Sequence, residues 1–275
     1  MDARHFLRLE PTDDPLRWRL PVLPPVTTGG GFLFGGCGLG SAIEVLESVT
    51  GRPLVWATAQ YLSYAMPPSV VDLDVTVAVD GRNTAQARVV GRVGETEIFT
   101  VNGALGQRPL EASGEWAIRP DVPPPAECRE RLLEERHGES IMSRIDMRLA
   151  DARQFDELDG TAGSGRSALW ARVQGIETSA ATLGILGDWV PFGIGQALGQ
   201  RAGGNSLDNT LRVVRLVPTE WVLLDIRIQA VANGFGHGLV HLWAEDGTLL
   251  ATASQSAIVR FHADFERRRQ ARGRA

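Results

Sequence analysis

Twice along this chain an apolar helical segment is followed by long alternating strands joined by short turns, and that repeat constrains the fold more than any single residue. In the first half Gly35-Gly36-Cys37-Gly38 leads into Leu39, Ala42, Ile43, Leu46 and Val49, a helical period whose apolar face must be buried. Thr50-Gly51-Arg52-Pro53 is the stop. Val71, Leu73, Val75, Val77 and Val79 then alternate with Asp72, Asp74 and Thr76, which predicts a half-buried strand ending in the turn Asp80-Gly81-Arg82-Asn83. Residues 85–93 and 98–105, joined at Gly94-Glu95, continue it as a meander. In the second half Ile141, Ile145, Met147 and Leu149 predict an opening strand and residues 168–173 another. A helix over residues 191–198, a glycine-rich break at Arg201-Ala202-Gly203-Gly204 and a strand with Leu224, Ile226, Ile228 and Ala230 on one face follow. Strands 238–244 and 249–260 flank the turn Glu245-Asp246-Gly247. Aligning Asn83 with Asn233 reads as a divergent internal duplication.

The 275 residues suffice for two such units, each with its own core. The boundaries expected are a first half over 1–110, a linker over 111–139, a second half over 140–263 and a basic tail over 264–275. Pro123-Pro124-Pro125 makes the linker stiff, and Arg129, Leu132, Leu133 and Arg136 read as a short surface helix within it. The tail, with Arg267, Arg268, Arg269, Arg272 and Arg274, reads as a solvated terminus. A net charge of −5 gives no electrostatic ground for nucleic-acid binding. No apolar run approaches the roughly 18 residues that a membrane span requires, and Met1-Asp2-Ala3-Arg4-His5 lacks a signal peptide's apolar segment. A cytoplasmic protein is expected, with Cys37 and Cys128 as free thiols. All 28 basic side chains are arginine, which excludes lysine Schiff-base chemistry.

Three polar residues lie where burial should exclude them. Asp188 precedes Trp189-Val190-Pro191, and proline favours a first helical turn, so Asp188 sits near an N-cap; capping alone would account for it. Gln255 shares a strand face with Leu249, Ala251, Ala253, Ala257 and Val259, where a buried amide must find partners or cost about 1–3 kcal/mol. A core glutamine bonded to backbone is the plain alternative. Ser206 opens a strand, where an ordinary hydroxyl is equally at home. His237 and His241 fall on one strand with no third ligand nearby, so no metal site is expected. The glycine runs 29–31 and 35–38 lack the Lys-Ser/Thr of a phosphate loop and read as close backbone approach. Trp170, Trp189 and Trp221 read as core.

A helix wrapped by an antiparallel sheet, twice in one chain, is what a double hot-dog, an α+β fold, would look like. The second half resembles acyl-CoA thioesterase II and its relatives through Leu169-Trp170-Ala171-Arg172, Leu183-Gly184-Ile185-Leu186-Gly187-Asp188, Ser206-Leu207-Asp208 and Glu245-Asp246-Gly247 followed by Ala253-Ser254-Gln255. The first half matches more loosely, through Phe34-Gly35-Gly36 and Tyr61-Leu62-Ser63-Tyr64. The resemblance implies hydrolysis of fatty acyl-CoA to free acid and CoA by a water held on Asp188, Ser206 and Gln255. Ser206 stands where well-known relatives carry threonine and keeps the hydroxyl. Asp188 would be the general base, with the backbone N–H groups of Trp189 and Val190 at a helix start facing the oxyanion. Gly35 and Gly36 would contact substrate. No cofactor or metal is implied, the two halves would share a continuous sheet, and a homodimer or higher homo-oligomer is plausible. A non-catalytic acyl-CoA binder is the alternative; a hot-dog hydratase would need a His beside Asp188, and none is near. Counting back by the offset of the turns puts Asp188 on Gly38, and allowing for loop residues puts Gln255 on Asn102, so one working site per chain is expected.

Overall fold

The computed structural model describes residues 1–134 and 138–262. The first half contains helix α1 (Ala3–Leu7), strands β1 (Glu10–Pro11) and β2 (Arg17–Val22), helix α2 (Gly35–Thr50), and strands β3 (Leu54–Tyr61), β4 (Ser69–Asp80), β5 (Thr84–Val93) and β6 (Thr96–Gly106). The second contains β7 (Arg129–Glu130), β8 (Ile145–Asp151), β9 (Arg166–Val173), α3 (Ala180–Leu186), α4 (Val190–Leu198), β10 (Ala202–Val213), β11 (Val222–Ala232), β12 (Phe235–Ala244) and β13 (Leu249–Phe261). Helix α2 buries Leu39, Ala42, Ile43 and Leu46 as its period requires, and it ends at Gly51, which takes the left-handed conformation (φ 64°) that closes a helix without a Cβ clash. Fully burying side chains the size of Leu39, Ile43 and Leu46 contributes about 1.5–3 kcal/mol each, which anchors α2 in the core between the sheet and α3.

All thirteen strands form one sheet in the order β1-β2-β4-β5-β6-β3-β10-β13-β12-β11-β9-β8-β7. The two halves meet edge to edge where β3 pairs antiparallel with β10, from Asp208 opposite Gln60 to Arg212 opposite Trp56. Helix α2 packs on β3, β5 and β6, and α4 on β10, β11, β12 and β13. The chain is therefore a double hot-dog with a continuous sheet, and joining the halves in this way leaves neither central edge open.

Three details depart from the sequence reading. Arg129, Leu132 and Leu133 form no helix: Arg129 and Glu130 pair with Leu149 and Arg148, and Arg131 N–H bonds the Met147 carbonyl, because the edge of β8 offers backbone partners that an isolated turn cannot match. Arg136 and the arginine tail lie outside the described residues. Ile141–Arg144 is a turn of 3-10 helix, and the strand begins at Ile145. Helix α3, unanticipated as a separate element, starts at Ser179, whose hydroxyl accepts the Thr182 N–H. Cys37 and Cys128 are buried free thiols. No helix among the described residues is long and apolar enough to cross a membrane.

Candidate active site

Strand β10 supplies the first side chain of the site through an irregularity. Its register against β13 slips between Ser206 and Asp208, leaving Leu207 as the extra, exposed residue of a bulge. In a regular strand Ser206 and Asn209 would point to opposite faces; the slip turns both toward the helices, with Ser206 opposite Ala257 and Asn209 opposite Gln255. The alternation of Ala253, Gln255 and Ala257 on β13 delivers the Gln255 amide to the same face.

Asp188 lies between α3 and α4, 4% exposed. The N-cap of α4 is Trp189, and the Asp188 carboxylate caps the other half's helix instead: Gly36 N–H, in the first turn of α2, donates to Asp188 Oδ2 at 2.7 Å. The glycines there are needed for closeness. A Cβ on Gly35 would lie 2.8 Å from Asp188 Oδ2, and one on Gly36 would lie 2.7 Å from the Ile185 carbonyl oxygen. Gly35 and Gly36, expected to touch substrate, are thus packed against the carboxylate itself, with the Gly35 carbonyl accepting the Tyr61 hydroxyl at 2.8 Å.

The remaining bonds close a tight set. Ser206 Oγ–H donates to Asp188 Oδ1 at 3.1 Å, and Gln255 Nε2 donates both to Asp188 Oδ1 and, at 2.6 Å, to Ser206 Oγ. Val190 N–H donates to Gln255 Oε1 at 3.2 Å, which fixes the amide so that its nitrogen faces Asp188. Of the two backbone groups expected at an oxyanion, Val190 is therefore engaged with Gln255, while the Trp189 N–H meets no acceptor among the described residues. Burial pushes the Asp188 carboxyl up to about 6, against the bonds from Gln255, Ser206 and Gly36 that favour its charged form. The arrangement surrounds a buried carboxylate of raised basicity with hydrogen-bond donors, which is the equipment of a general base. The neighbouring Cys37 thiol is also raised by burial and stays protonated.

Two contacts reveal how the halves correspond. Thr58 and Thr210 bond through their hydroxyls at 3.0 Å, and Gly36 bonds Asp188; each pair is 152 residues apart. Across a two-fold axis a residue meets its own counterpart only on the axis, so the offset here is 152. Strand β3 even repeats the bulge, its register against β6 slipping between Leu54 and Trp56. The counterparts of Asp188, Ser206 and Gln255 are then Gly36, Leu54 and Gly103. This corrects the counterparts expected from the turns: Gly38 is not opposite Asp188, and Asn102 pairs with Thr58 and points to the exposed outer face. The turn is a poor anchor for the count: residues 81–83 link β4 to β5, but only Asn233 and Gly234 link β11 to β12, so aligning Asn83 with Asn233 falls short of the offset that holds on either side.

Sequence reasoning also missed Arg131. Its guanidinium lies over the Trp189 and Phe192 rings, 5.4 and 5.5 Å from their centroids, and burial pushes its pKa down to about 10. No signal in the sequence marks a linker arginine as a cover for the start of α4. His237 bonds Ser256 Oγ at 3.1 Å and His241 approaches Asp225 at 3.5 Å. Among the described residues no cluster of three or more His, Cys, Asp or Glu side chains is placed to hold a metal ion.

The acyl-CoA thioesterase C-terminal domain family matches residues 120–259. A structure from Novosphingobium aromaticivorans, provisionally assigned as a thioesterase, is 34% identical and covers 90% of this chain and 97% of its own, with a TM-score of 0.80. A hot-dog protein of unknown function from Alicyclobacillus acidocaldarius is 18% identical over 94% of this chain and 97% of its own, with a TM-score of 0.83. An acyl-CoA thioesterase II of Mycobacterium marinum is 19% identical over 94% and 98%, with a TM-score of 0.73. No curated protein matches the chain.

Proposed function

The chain belongs to the acyl-CoA thioesterase family and is a thioester hydrolase, and on that premise we propose that it hydrolyses fatty acyl-CoA to free acid and CoA with a water that Asp188 deprotonates. The observation that carries the reading is the convergence of Gln255, Ser206 and Gly36 on one buried carboxylate whose pKa is raised to about 6. A base of that strength is ionised at neutral pH yet still takes a proton readily.

In the step envisaged, the water oxygen bonds to the thioester carbonyl carbon while its proton passes to Asp188. The carbonyl oxygen becomes an oxyanion beside the Trp189 N–H at the positive end of α4. Collapse re-forms the carbonyl, breaks the C–S bond and returns the proton from Asp188 to the leaving thiolate. Gln255 and Ser206 hold the carboxylate in place, and Val190 holds Gln255. The first half contributes the Gly36 N–H and no base of its own, because Gly36, Leu54 and Gly103 occupy the corresponding positions. One site per chain follows. Action in the cytoplasm and assembly as a homodimer or higher homo-oligomer belong to the same proposal, to be checked by fractionation and light scattering.

The direct test is free-thiol release from a panel of acyl-CoAs, C2 to C18, by wild type and Asp188→Asn. Turnover concentrated in one range of chain lengths, and reduced by roughly 10²–10⁴ in the variant, is the expected result. Asp188→Asn turning over within about threefold of wild type would overturn Asp188 as the base.

A further inference from the structure

Hydrogen-bond accounting leaves the site short of one donor. Gln255 Nε2 gives its two N–H groups to Asp188 and Ser206, its Oε1 is taken by Val190, and the Ser206 hydroxyl goes to Asp188. The three side chains therefore satisfy one another. A water that donates a proton to Asp188 needs a donor of its own to fix its oxygen, and neither Gln255 nor Ser206 has one to spare.

An unspent donor lies next door. Asn209 is wholly buried, and neither its Oδ1 nor its Nδ2 meets a partner among the described residues. Leaving such a group unpaired costs about 1–3 kcal/mol, so a buried amide of this kind points to a ligand or a bound water. The bulge at Leu207 turns Asn209 to the helix-facing side, directly opposite Gln255 on β13 and Ala59 on β3. It is thus flanked by Gln255 across the sheet and by Ser206 along its own strand, the two side chains that touch Asp188 Oδ1. The fold itself supplies a control. The counterpart of Asn209 at the offset of 152 is Ala57, which faces Gly103 as Asn209 faces Gln255. The same strand position folds with a methyl group in the half that lacks the carboxylate.

We propose that the Asn209 carboxamide is a fourth member of the site, donating an N–H to the oxygen of the water that Asp188 deprotonates. Its second N–H remains for a neighbouring water or for the thioester carbonyl oxygen, and its own carbonyl oxygen accepts from a neighbouring water. The inference rests on Asp188 acting as the base, and it adds the group that aims the water's lone pair at the thioester carbon. The bonds made and broken are those of the hydrolysis above, with Asn209 neither gaining nor losing a proton.

The test is Asn209→Leu, which keeps the shape and removes the polar atoms, beside Asn209→Asp. If the amide serves the water, kcat of Asn209→Leu falls about thirtyfold or more with KM within threefold, and its melting temperature equals or exceeds that of wild type, since an unpartnered amide has been removed. Asn209→Asp puts a second carboxylate on the same water and moves the acid limb of the kcat profile to higher pH. Two results overturn the proposal: kcat of Asn209→Leu within threefold of wild type, or a leucine variant that melts well below wild type or fails to fold, which would make the amide a structural group. Asp188→Asn is run alongside. If Asp188→Asn is inactive while Asn209→Leu is active, only the role of Asn209 fails; if Asp188→Asn is active, the base assignment fails first.

Discussion

Replacing Asp188 with asparagine should abolish turnover and at the same time stabilise the protein at neutral pH. The carboxyl is held at about 6, against 3.8 for an ordinary aspartate, because burial penalises its charge more than Gly36, Ser206 and Gln255 compensate. A displacement of that size corresponds to about 3 kcal/mol. The folded protein binds this proton more tightly than the unfolded chain, so stability is full below about pH 4, where both states are protonated, and is lost as pH rises through about 6. Asparagine carries no charge and escapes the penalty, but its NH₂ group must face one of the donors that the carboxylate accepts, which costs about 1 kcal/mol. The net gain at pH 7 is about 2 kcal/mol, or about 4–8 °C in melting temperature for a chain of this size. Differential scanning calorimetry of both proteins from pH 4 to 8, with thiol release measured on the same samples, checks this. A variant no more stable than wild type at pH 7, or one whose advantage is the same at pH 4 and pH 7, would refute the buried-charge reasoning.

The kcat profile of the wild type should rise with a midpoint near the Asp188 value of about 6 and flatten above it, because only the ionised carboxylate accepts the proton; a flat profile from pH 5 to 8 would contradict this. Gln255→Ala should lower kcat by about tenfold or more, on the order of 1.4 kcal/mol, whereas Asn102→Ala, on the exposed outer face, should leave it unchanged; an equal loss from Asn102→Ala in single-turnover measurements would contradict its placement away from the site. Gly36→Ala puts a methyl 2.7 Å from the Ile185 carbonyl and should cost about 1–3 kcal/mol in stability along with a large part of kcat, since the N–H that meets Asp188 is pushed aside; circular-dichroism melts and thiol release report both.

Much of the fold was legible because alternation and helical period are local. The strand from Val71 to Val79, the Gly51 stop and the strand face carrying Gln255 were all read from spacing, and the structure has β4, α2 and β13 there. Asp188, Ser206 and Gln255 were singled out from burial and resemblance, and they do lie within hydrogen-bond reach of one another. What stayed hidden depends on contacts distant in sequence. Period-two patterning assigns faces only until a bulge intervenes, so Asn209 could not be put on the same side as Ser206 without the slip at Leu207. Nor does an aspartate before a helix announce that it will cap a different helix 152 residues away. The segment after the proline run carries helix-forming residues, and only the open edge of β8 decides that Arg129 and Glu130 extend.

Isotope incorporation distinguishes water activation by Asp188 from direct attack by its carboxylate, which is the central chemical claim. Excess enzyme is mixed with its best acyl-CoA in water enriched in oxygen-18 for a single turnover, and the released acid is analysed by mass spectrometry. With Asp188 acting on a water, the carboxylate product carries one oxygen-18 atom in that first turnover. An unlabelled acid, with the oxygen-18 left in the Asp188 carboxylate after that same turnover, would mean that the aspartate oxygen itself attacks the thioester and water then cleaves the resulting anhydride at the Asp188 carbonyl, and Asp188 would be a nucleophile in place of a base.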